Sequence, residues 1–377
     1  MTKKIYADHA ATTPPDKEVL EAMLPFLNES YYNPSALYPE ARAVRAVIEK
    51  TRSDLLDFIG GGKDGRIVFT GSGTESINMA LHSAVSGFRG KNRILVSSAE
   101  HHAVLNCARS FKGDDLTIEE LPVDRYGAVS PDTLKKHIKP DVHLVSIMTV
   151  NNETGAINDT AALCRITHEA GAKFHTDAVQ ALGIMPIAAK DIGADYISFS
   201  AHKIYGPKGI GALYAAPSAP VYPLVMGGNQ EGGARAGTEN TVGIAGFGCA
   251  IEILRKQQED DITHLANLKK IFLEEIAPIP DLLINSPSSG APHIISVSAA
   301  GAEAEPCLLH LSMAGILASM GAACNASSVE PSHVVEAIGV PAEYKRGTLR
   351  FSFGRDNTAE DVKKAAQALA FVLKKLR

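Results

Sequence analysis

Short apolar runs typical of buried strands alternate with stretches of helical periodicity through the first half of the chain. The clearest strand candidates are residues 67–69, 94–96, 142–148, 173–175 and 196–199, and helical spacing marks residues 17–27, 39–59 and 77–85. Buried strands that alternate with helices are the signature of a mostly parallel, doubly wound sheet. The sequence therefore predicts an α/β fold.

The pattern changes after residue 255. A long polar helix over 256–276 and a proline-rich turn precede strand-like alternation over 293–298 and 348–353. Thr358 is placed to cap a closing amphipathic helix, whose predicted buried face is Val362, Ala365, Leu369, Val372 and Leu376. We predict a large domain over 15–255 and a smaller α+β domain made of 1–14 and 256–377.

Composition restricts the class of protein. The 377 residues carry a net charge of −5 with no basic run, so nothing favours direct nucleic-acid binding. The longest uncharged apolar run, 241–251, is far short of a membrane span, and the N-terminus lacks a signal-peptide pattern. Five unclustered cysteines have neither metal-ligand spacing nor a disulfide framework. We expect no metal site, no membrane partner and a reducing cytoplasmic location.

Polar residues follow each predicted strand at the point where it ends. Ligands of open α/β sheets bind beyond the carboxyl ends of the strands, so these side chains are expected to meet at one site. The turn after the first strand is rich in small residues, which lets backbone N–H groups at a helix N-terminus surround a phosphate. The candidates are Gly73 and Thr74, His101, Asn152, Asp177 with Gln180, and Lys203 with Ser200 and His202.

These residue types suit pyridoxal 5'-phosphate (PLP). A desolvated lysine such as Lys203 forms a Schiff base with an aldehyde, and a carboxylate such as Asp177 keeps a pyridine nitrogen protonated. His101 could lie on the ring and move protons. Singly, each has an ordinary explanation: a solvated lysine, a helix N-cap and a structural histidine. Five strand ends with this polarity favour PLP over coincidence.

A set of segments matches one known family, in order and nearly from end to end. The segments are 8–13 (DHAATT), 33–35 (NPS), 69–78 (FTGSGTESIN), 100–101 (EH), 151–155 (NNETG), 175–180 (HTDAVQ), 198–209 (SFSAHKIYGPKG), 235–240 (RAGTEN), the region of Cys324, and 349–355 (LRFSFGR). Together they resemble the cysteine desulfurases, which are PLP enzymes of fold type I in the class V aminotransferase group. The resemblance implies that the large domain binds PLP and the small domain carries the loop of the catalytic cysteine.

The resemblance also implies a role for each candidate residue. Lys203 corresponds to the Schiff-base lysine, His101 to the ring-stacking acid–base and Asp177 to the partner of the pyridine nitrogen. Arg350 corresponds to the arginine that binds the substrate carboxylate, although a sheet-edge arginine is the ordinary alternative. The remaining correspondences are Asn152 and Gln180 near the ring hydroxyl and substrate, Gly73, Thr74, Ser200 and His202 around the phosphate, and Thr238 reaching the phosphate of the other subunit of a homodimer.

Cys324 completes the implied reaction, in which L-cysteine becomes L-alanine and a persulfide forms on this residue. It lies in a run of small residues, whereas the other four cysteines lie in apolar, helix-like stretches. The family usually has Ser-Ser-Gly-Ser-Ala before this cysteine, where residues 319–323 here read SMGAA. The expected receiver of the sulfur is an acceptor protein of iron–sulfur cluster assembly or tRNA thiolation.

Two other functions stay open at this stage. One is a selenocysteine lyase, or a β-eliminating or aminotransferring relative, in which Cys324 is incidental. The other is a non-catalytic partner or scaffold protein that has kept the fold, which the full set of candidate cofactor residues argues against. Activity of a Cys324→Ser variant on L-cysteine separates the desulfurase from the lyase.

Overall fold

The computed structural model describes residues 4–86, 90–111, 116–321 and 331–377. The strands in these ranges are β1 (Ile5–Tyr6), β2 (Arg66–Thr70), β3 (Arg93–Ser97), β4 (Thr117–Leu121), β5 (Val142–Ser146), β6 (Lys173–Asp177), β7 (Tyr196–Ser200), β8 (Gly211–Ala215), β9 (Leu282–Ile284), β10 (Ile294–Ala299), β11 (Ile316–Leu317) and β12 (Thr348–Ser352). The helices are α1 (Lys17–Met23), α2 (Pro25–Asn28), α3 (Pro39–Phe58), α4 (Gly73–Ser86), α5 (His102–Ser110), α6 (Pro131–His137), α7 (Thr160–Glu169), α8 (Ala189–Ile192), α9 (Thr241–Ile276), α10 (Ala304–Met313), α11 (His333–Ala337), α12 (Ala342–Lys345) and α13 (Ala359–Leu376).

The main sheet of the described residues has seven strands in the order β2-β8-β7-β6-β5-β3-β4. Strands β4, β3, β5, β6 and β7 pair in parallel, and β8 runs antiparallel to both β7 and β2. A second, antiparallel sheet has the order β12-β10-β9, and β1 pairs in parallel with β11. The predicted α/β fold with a mostly parallel sheet is confirmed.

Each predicted strand coincides with an observed one to within two residues at either end. Two strands of the main sheet lack a predicted counterpart. Strand β4 lies at the sheet edge, and its polar residues Glu119 and Glu120 leave no apolar run to detect. Strand β8 is fully buried, but it begins at Gly211 directly after a glycine- and proline-rich turn, which obscures where the strand starts.

Two helix predictions need correction and one is confirmed. The predicted helix over 17–27 is two helices, α1 and α2, because Pro25 has no N–H to continue the first one. The polar helix predicted from 256 begins much earlier, at Thr241, and α9 runs unbroken for 36 residues. Thr358 caps α13 in a capping box with Asp361, as predicted.

The long helix α9 contributes to two apolar clusters. Its first half, including Phe247 and Leu254, packs with α3 and the main sheet. Its second half, including Leu268 and Phe272, packs with α13 and the β12-β10-β9 sheet. Burying each of these side chains contributes about 1.5–3 kcal/mol. The domain boundary near 255 falls inside this helix, and the division into 15–255 and 1–14 with 256–377 stays a prediction.

No helix in the described ranges combines the length and the apolar character that a bilayer span requires.

Candidate active site

A cavity of about 270 Å³ opens beyond the carboxyl ends of the parallel strands. The predicted cofactor and substrate residues that line it are Gly73, Thr74, His101, Asn152, Asp177, Gln180, Ser200, His202, Lys203 and Arg350. Thr238 lies outside this cavity and is exposed. Cys324 lies outside the described residues. The structure therefore brings most of the candidates to one place, while their roles remain predictions.

The strand ends explain why these residues meet. Parallel neighbours carry their carboxyl ends to the same edge of a sheet, and the polar residues come directly after the strands. Helix α4 begins at Gly73 after β2, His101 follows β3, Asn152 follows β5, Asp177 ends β6, and Ser200 ends β7. Lys203 is the last residue of a 3₁₀ turn, Ala201–Lys203, that follows β7.

Lys203 packs against the N-terminal segment of the chain. Its Nζ donates hydrogen bonds to the carbonyl oxygens of Ala10 and Ala11, the second at 2.8 Å. Two residues on, Tyr205 adopts a left-handed backbone with φ of 62°, and Arg355 lies over its ring at 3.7 Å from the centroid. The strained turn and its support hold the lysine at the cavity.

Asp177 is a buried carboxyl at the cavity wall. Its Oδ1 accepts a hydrogen bond from the Val179 N–H at 2.8 Å, so it forms a turn and caps no described helix. Burial raises the pKa of Asp177 to about 6, although the Val179 N–H and the Lys203 charge act in the opposite direction. A cationic ring nitrogen in the cavity would favour the charged carboxylate.

His101 is held in one tautomer. Its Nδ1 accepts a hydrogen bond from the Ala103 N–H at 3.0 Å and so caps α5. Burial, together with the positive charge of Lys203 and the neighbouring His102 and His333, lowers the pKa of His101 to about 4. At neutral pH the ring is therefore uncharged with its proton on Nε2, from which it can donate.

Arg350 projects from β12 and is only 2% exposed. One terminal nitrogen donates to Asp8 Oδ1 at 2.9 Å and the other to the Asn152 carbonyl oxygen at 2.7 Å. Its Nε has no hydrogen-bond partner among the described residues. β12 is an edge strand of the three-stranded sheet, so Arg350 is a sheet-edge arginine by position, but its side chain is buried in the cavity wall and its role stays a prediction.

The donor set of the cavity fits PLP. At Gly73 a Cβ atom would come within 2.9 Å of Val179 Cγ2, so only glycine allows the first turn of α4 to approach the opposite wall this closely. In that first turn the N–H groups of Glu75 and Ser76 already donate to Ser72, which leaves those of Gly73 and Thr74 for an anion. The buried Oδ1 of Asn152 has no partner among the described residues, which suits a ligand hydroxyl. An amine, a buried carboxyl and an anion-binding turn complete the set.

Sequence reasoning missed three residues beside the cavity, of which Asp8 is half-buried and His293 and Glu100 are buried. Asp8 pairs with Arg350, and His293 Nε2 donates a hydrogen bond to Gln180 Oε1 at 3.2 Å. Glu100 is fully buried, its Oε1 accepts from the Met148 N–H at 2.6 Å, and burial raises the pKa of Glu100 well above its ordinary value. Asp8 and Glu100 fall within segments that carry the family resemblance, which was the available signal; His293 had none.

The family model for class-V aminotransferases matches residues 5–365. The chain therefore belongs to the class-V aminotransferase family. It is 44% identical to the cysteine desulfurase IscS of Dictyoglomus turgidum, covering 100% of this chain and 96% of that protein. It is 42% identical to the cysteine desulfurase IscS of Methanosarcina thermophila, over 100% and 93% of the two chains.

Solved structures agree with these relatives. A NifS-like protein superposes with a TM-score of 0.92 at 32% identity, covering 99% of this chain and 100% of that one. SspA in complex with cysteine superposes with a TM-score of 0.82 at 33% identity, over 94% and 100% of the two chains. The predicted resemblance to the cysteine desulfurases is confirmed.

Proposed function

We propose that this chain is a PLP-dependent cysteine desulfurase that converts L-cysteine to L-alanine and takes the sulfur as a persulfide on Cys324. The observation that supports this most is the meeting of an amine, a buried carboxyl and a buried guanidinium, those of Lys203, Asp177 and Arg350, around one cavity. Cysteine desulfurases among the relatives at up to 44% identity carry out this class of reaction.

The family implies PLP, and the residues present suit it. When bound, PLP supplies an electron sink for charge that develops on the substrate. Lys203 would hold its aldehyde carbon and Asp177 would meet its ring nitrogen. The phosphate would be bound by the turn at Gly73 and by the side chains of Thr74, Ser200 and His202, and the ring hydroxyl by Asn152 and Gln180.

Arg350 would bind the carboxylate of L-cysteine. A guanidinium has five N–H donors, so the bonds to Asp8 and the Asn152 carbonyl leave donors for a ligand. The Asp8 carboxylate keeps the guanidinium in one orientation before substrate arrives. Such a fixed, planar donor pair suits a carboxylate and gives both affinity and orientation.

Proton movement falls to Lys203 and His101. The amine of Lys203 lies between the carbonyls of Ala10 and Ala11 and can take a proton from the substrate Cα once it is neutral. His101 is neutral with its proton on Nε2. Its Nε2 can therefore give a proton to the former Cβ of the substrate as L-alanine forms, and can take a proton back afterwards.

Cys324 would receive the sulfur. As a thiolate it attacks the sulfur of L-cysteine, the Cβ–S bond breaks, an S–S bond forms, and the former Cβ gains a proton to give L-alanine. The described cysteines are poor candidates, because Cys107, Cys164 and Cys307 are buried and Cys249 is half-buried. Burial raises the pKa of Cys164 to about 12 and that of Cys107 to about 11.

A Cys324→Ser variant tests the proposal. We expect it to keep its bound cofactor and its binding of L-cysteine while alanine and sulfide formation fall by at least a thousandfold. Cys249→Ser is the matched control, because Cys249 is the least buried of the described cysteines, and it should retain near-normal activity. Near-normal alanine formation by Cys324→Ser would refute the desulfurase and favour the lyase.

A homodimer and a sulfur acceptor complete the proposal. Thr238 would contact the cofactor phosphate of the second subunit, which suits its exposed position away from the cavity of its own protomer. Loss of one hydrogen bond to a charged group costs about 1.5–3 kcal/mol, so Thr238→Ala should weaken cofactor retention. An active monomer in sedimentation would refute the shared site. The acceptor would be a protein of iron–sulfur cluster assembly or tRNA thiolation in the cytoplasm.

A further inference from the structure

A second, smaller cavity of about 20 Å³ adjoins the candidate active site. Gln180 and Lys203 line both cavities, so the two share part of a wall. The smaller cavity is also lined by His293, which is 5% exposed and has no role in the proposed reaction. A side chain in the smaller cavity can therefore act on the active site through the residues that the two cavities share.

The side-chain amide of Gln180 is held in one orientation. Its Nε2 lies 2.8 Å from the carbonyl oxygen of Ala10, and a carbonyl oxygen only accepts, so the amide nitrogen must face it. The amide oxygen, Oε1, then lies 3.2 Å from His293 Nε2. Gln180 is 7% exposed, so both ends of its amide need partners inside the protein. Exchanging the two ends would set one oxygen against another at Ala10.

This orientation fixes the proton of His293. Because the amide oxygen of Gln180 only accepts, the imidazole Nε2 must carry the hydrogen that the oxygen receives. Burial, together with the positive charges of Arg350 and Lys269, lowers the pKa of His293 to about 3. The ring is therefore neutral at physiological pH and has a single proton. Its Nδ1 then has no proton, and no residue in the described ranges bonds to that buried atom.

The Ala10 carbonyl joins this chain of hydrogen bonds to the active-site lysine. It accepts from Gln180 Nε2 and also from Lys203 Nζ. One hydrogen of Gln180 Nε2 is used at Ala10, and the second is available to the larger cavity that this side chain lines. His293 and the Ala10 carbonyl together thus make Gln180 present an N–H donor, and not its oxygen, to the active site.

We propose that His293 is a positioning residue for the cofactor: it holds the Gln180 amide so that an N–H donor faces the ring hydroxyl of bound PLP. This inference rests on the proposed function, in which Gln180 binds that hydroxyl. The hydroxyl oxygen accepts from a donor in either protonation state, but a hydrogen bond to a charged oxygen is the stronger one, so the donor favours the ionised form. The bound cofactor absorbs at longer wavelength when this oxygen is ionised, which makes the effect of the donor visible in the spectrum.

Two substitutions at His293 separate the hydrogen bond from the packing. The glutamine side chain has its amide nitrogen at about the distance of the imidazole Nε2, so His293→Gln keeps a donor for Gln180. Methionine has the same chain length and no donor, so His293→Met removes the hydrogen bond and keeps most of the volume. The same pair at His143 is the matched control, because His143 is buried, donates from Nε2 to the Ala84 carbonyl, and is not among the residues that line either cavity.

The measurement is the absorption spectrum of each variant at saturating PLP and one neutral pH, together with the Kd of the apoprotein for PLP. In His293→Met we expect the ratio of the long-wavelength band to the short-wavelength band to fall at least about threefold, and the Kd to rise about tenfold. In His293→Gln both quantities should stay within about twofold of the parent protein. The two His143 variants should keep the parent ratio even where they are less stable.

Nitrogen-15 NMR of the histidine side chains in the parent protein provides a second test, which decides the matter if His293→Met does not fold. We expect the proton of His293 on Nε2 and none on Nδ1. A proton on Nδ1 would overturn the role of His293, because Nε2 would then be an acceptor and could not hold the amide oxygen of Gln180.

The outcomes separate this inference from the function on which it rests. An unchanged band ratio in His293→Met would overturn the positioning role, whether or not the protein is a desulfurase. A weaker Kd with an unchanged ratio would also overturn it, because His293 would then support the site as a whole. The expected spectra together with alanine formation by Cys324→Ser would refute sulfur transfer and leave the role of His293 intact, whereas a protein that binds no PLP would overturn both.

Discussion

The two walls of the cavity are built in different ways. One wall, here called the sheet wall, consists of residues at the carboxyl ends of strands of the main sheet or in the turns after them, such as Asp177 and Lys203. The other, the terminal wall, consists of Ala10, Ala11 and Arg350, which come from the two ends of the chain. The sheet wall follows from local sequence, whereas the terminal wall exists only after distant segments have paired.

The terminal wall depends on contacts that span the whole chain. Strand β1 pairs with β11, and Arg350 is bound to Asp8 across 342 residues of sequence. These contacts set the carbonyls of Ala10 and Ala11 against Lys203 and the guanidinium of Arg350 beside Asn152. Under the proposed function, the sheet wall holds the cofactor and the terminal wall binds the substrate carboxylate, so damage to each wall should have a different kinetic signature.

Lys203→Ala removes the amine of the sheet wall and should reduce the rate of alanine formation more than any other substitution in the two walls. Without the amine, covalent retention of the cofactor is lost, and we expect the rate of alanine formation to fall by roughly three orders of magnitude or more. Cofactor content after gel filtration and alanine release are the two measurements. Lys208→Ala, at an exposed lysine of the same segment, should retain both the cofactor and the rate of alanine formation. Equal losses in the two variants would show that Lys203 is not the lysine that holds the cofactor.

Arg350→Lys breaks the terminal wall. A single ammonium cannot replace a planar pair of donors to a carboxylate, so we expect kcat/KM for L-cysteine to fall about 100-fold, corresponding to about 2.7 kcal/mol. The loss should lie mainly in KM, and the cofactor should stay bound. Arg346→Lys, at an exposed arginine just before β12, is the control. Loss of cofactor from Arg350→Lys would contradict the division of labour between the walls.

Acid should lower the unfolding free energy through two buried histidines, one in the main sheet and one just before β10. Burial lowers the pKa of His175, in the sheet, and of His293, before β10, to about 3 each. An unfolded histidine binds its proton near pH 6.5, so between these values the unfolded state binds more protons and stability falls as pH drops below about 6.5. Asp177, whose pKa is raised to about 6 by burial, acts in the opposite direction below that pH.

The size of the acid effect follows from linkage. Each histidine should cost about 2 kcal/mol of unfolding free energy between pH 7.5 and pH 5.0. Urea unfolding of His293→Asn and His175→Asn at both pH values should show the loss reduced by this amount in each variant. A variant with the same pH-dependent loss as the parent protein would show that its histidine is protonated normally in the fold.

Asp8→Asn changes a partner of the terminal wall and should have the smallest kinetic effect of these substitutions. The amide oxygen can still accept from Arg350, but the charge that favours one guanidinium orientation is removed. We expect KM for L-cysteine to rise about tenfold and kcat to change less than twofold. Steady-state kinetics at neutral pH decide it, and a fall in kcat with unchanged KM would place Asp8 in the chemical step instead.

The difference between the two walls also explains which site residues could be predicted from the sequence and which could not. The strand-end residues of the sheet wall could be found from the sequence because buried strands and the turns after them leave a local pattern. Thr358 could be found because a cap acts on residues next to it. The tie of Arg350 to Asp8 could not, since no spacing rule connects residues at opposite ends of a chain. The buried state of Glu100 and Glu153 was also invisible, because a carboxylate in a polar segment gives no sign of burial.

The helix α9 shows a second limit of sequence reasoning. Its first half is apolar and its second half polar, and this change of composition predicts a helix that begins only at 256. The structure has one helix from Thr241 to Ile276 because composition reports what a helix packs against, while backbone hydrogen bonding continues through the change. A change of burial is therefore a weak sign of an element boundary.

The central claim, sulfur transfer to Cys324, is tested most directly by mass spectrometry of the protein after incubation with L-cysteine. The account predicts one added sulfur atom on the peptide that contains Cys324, formed together with L-alanine, and no added sulfur on the peptides of Cys107, Cys164, Cys249 or Cys307. Alanine formation with no persulfide on Cys324, or a persulfide on another cysteine, would contradict it.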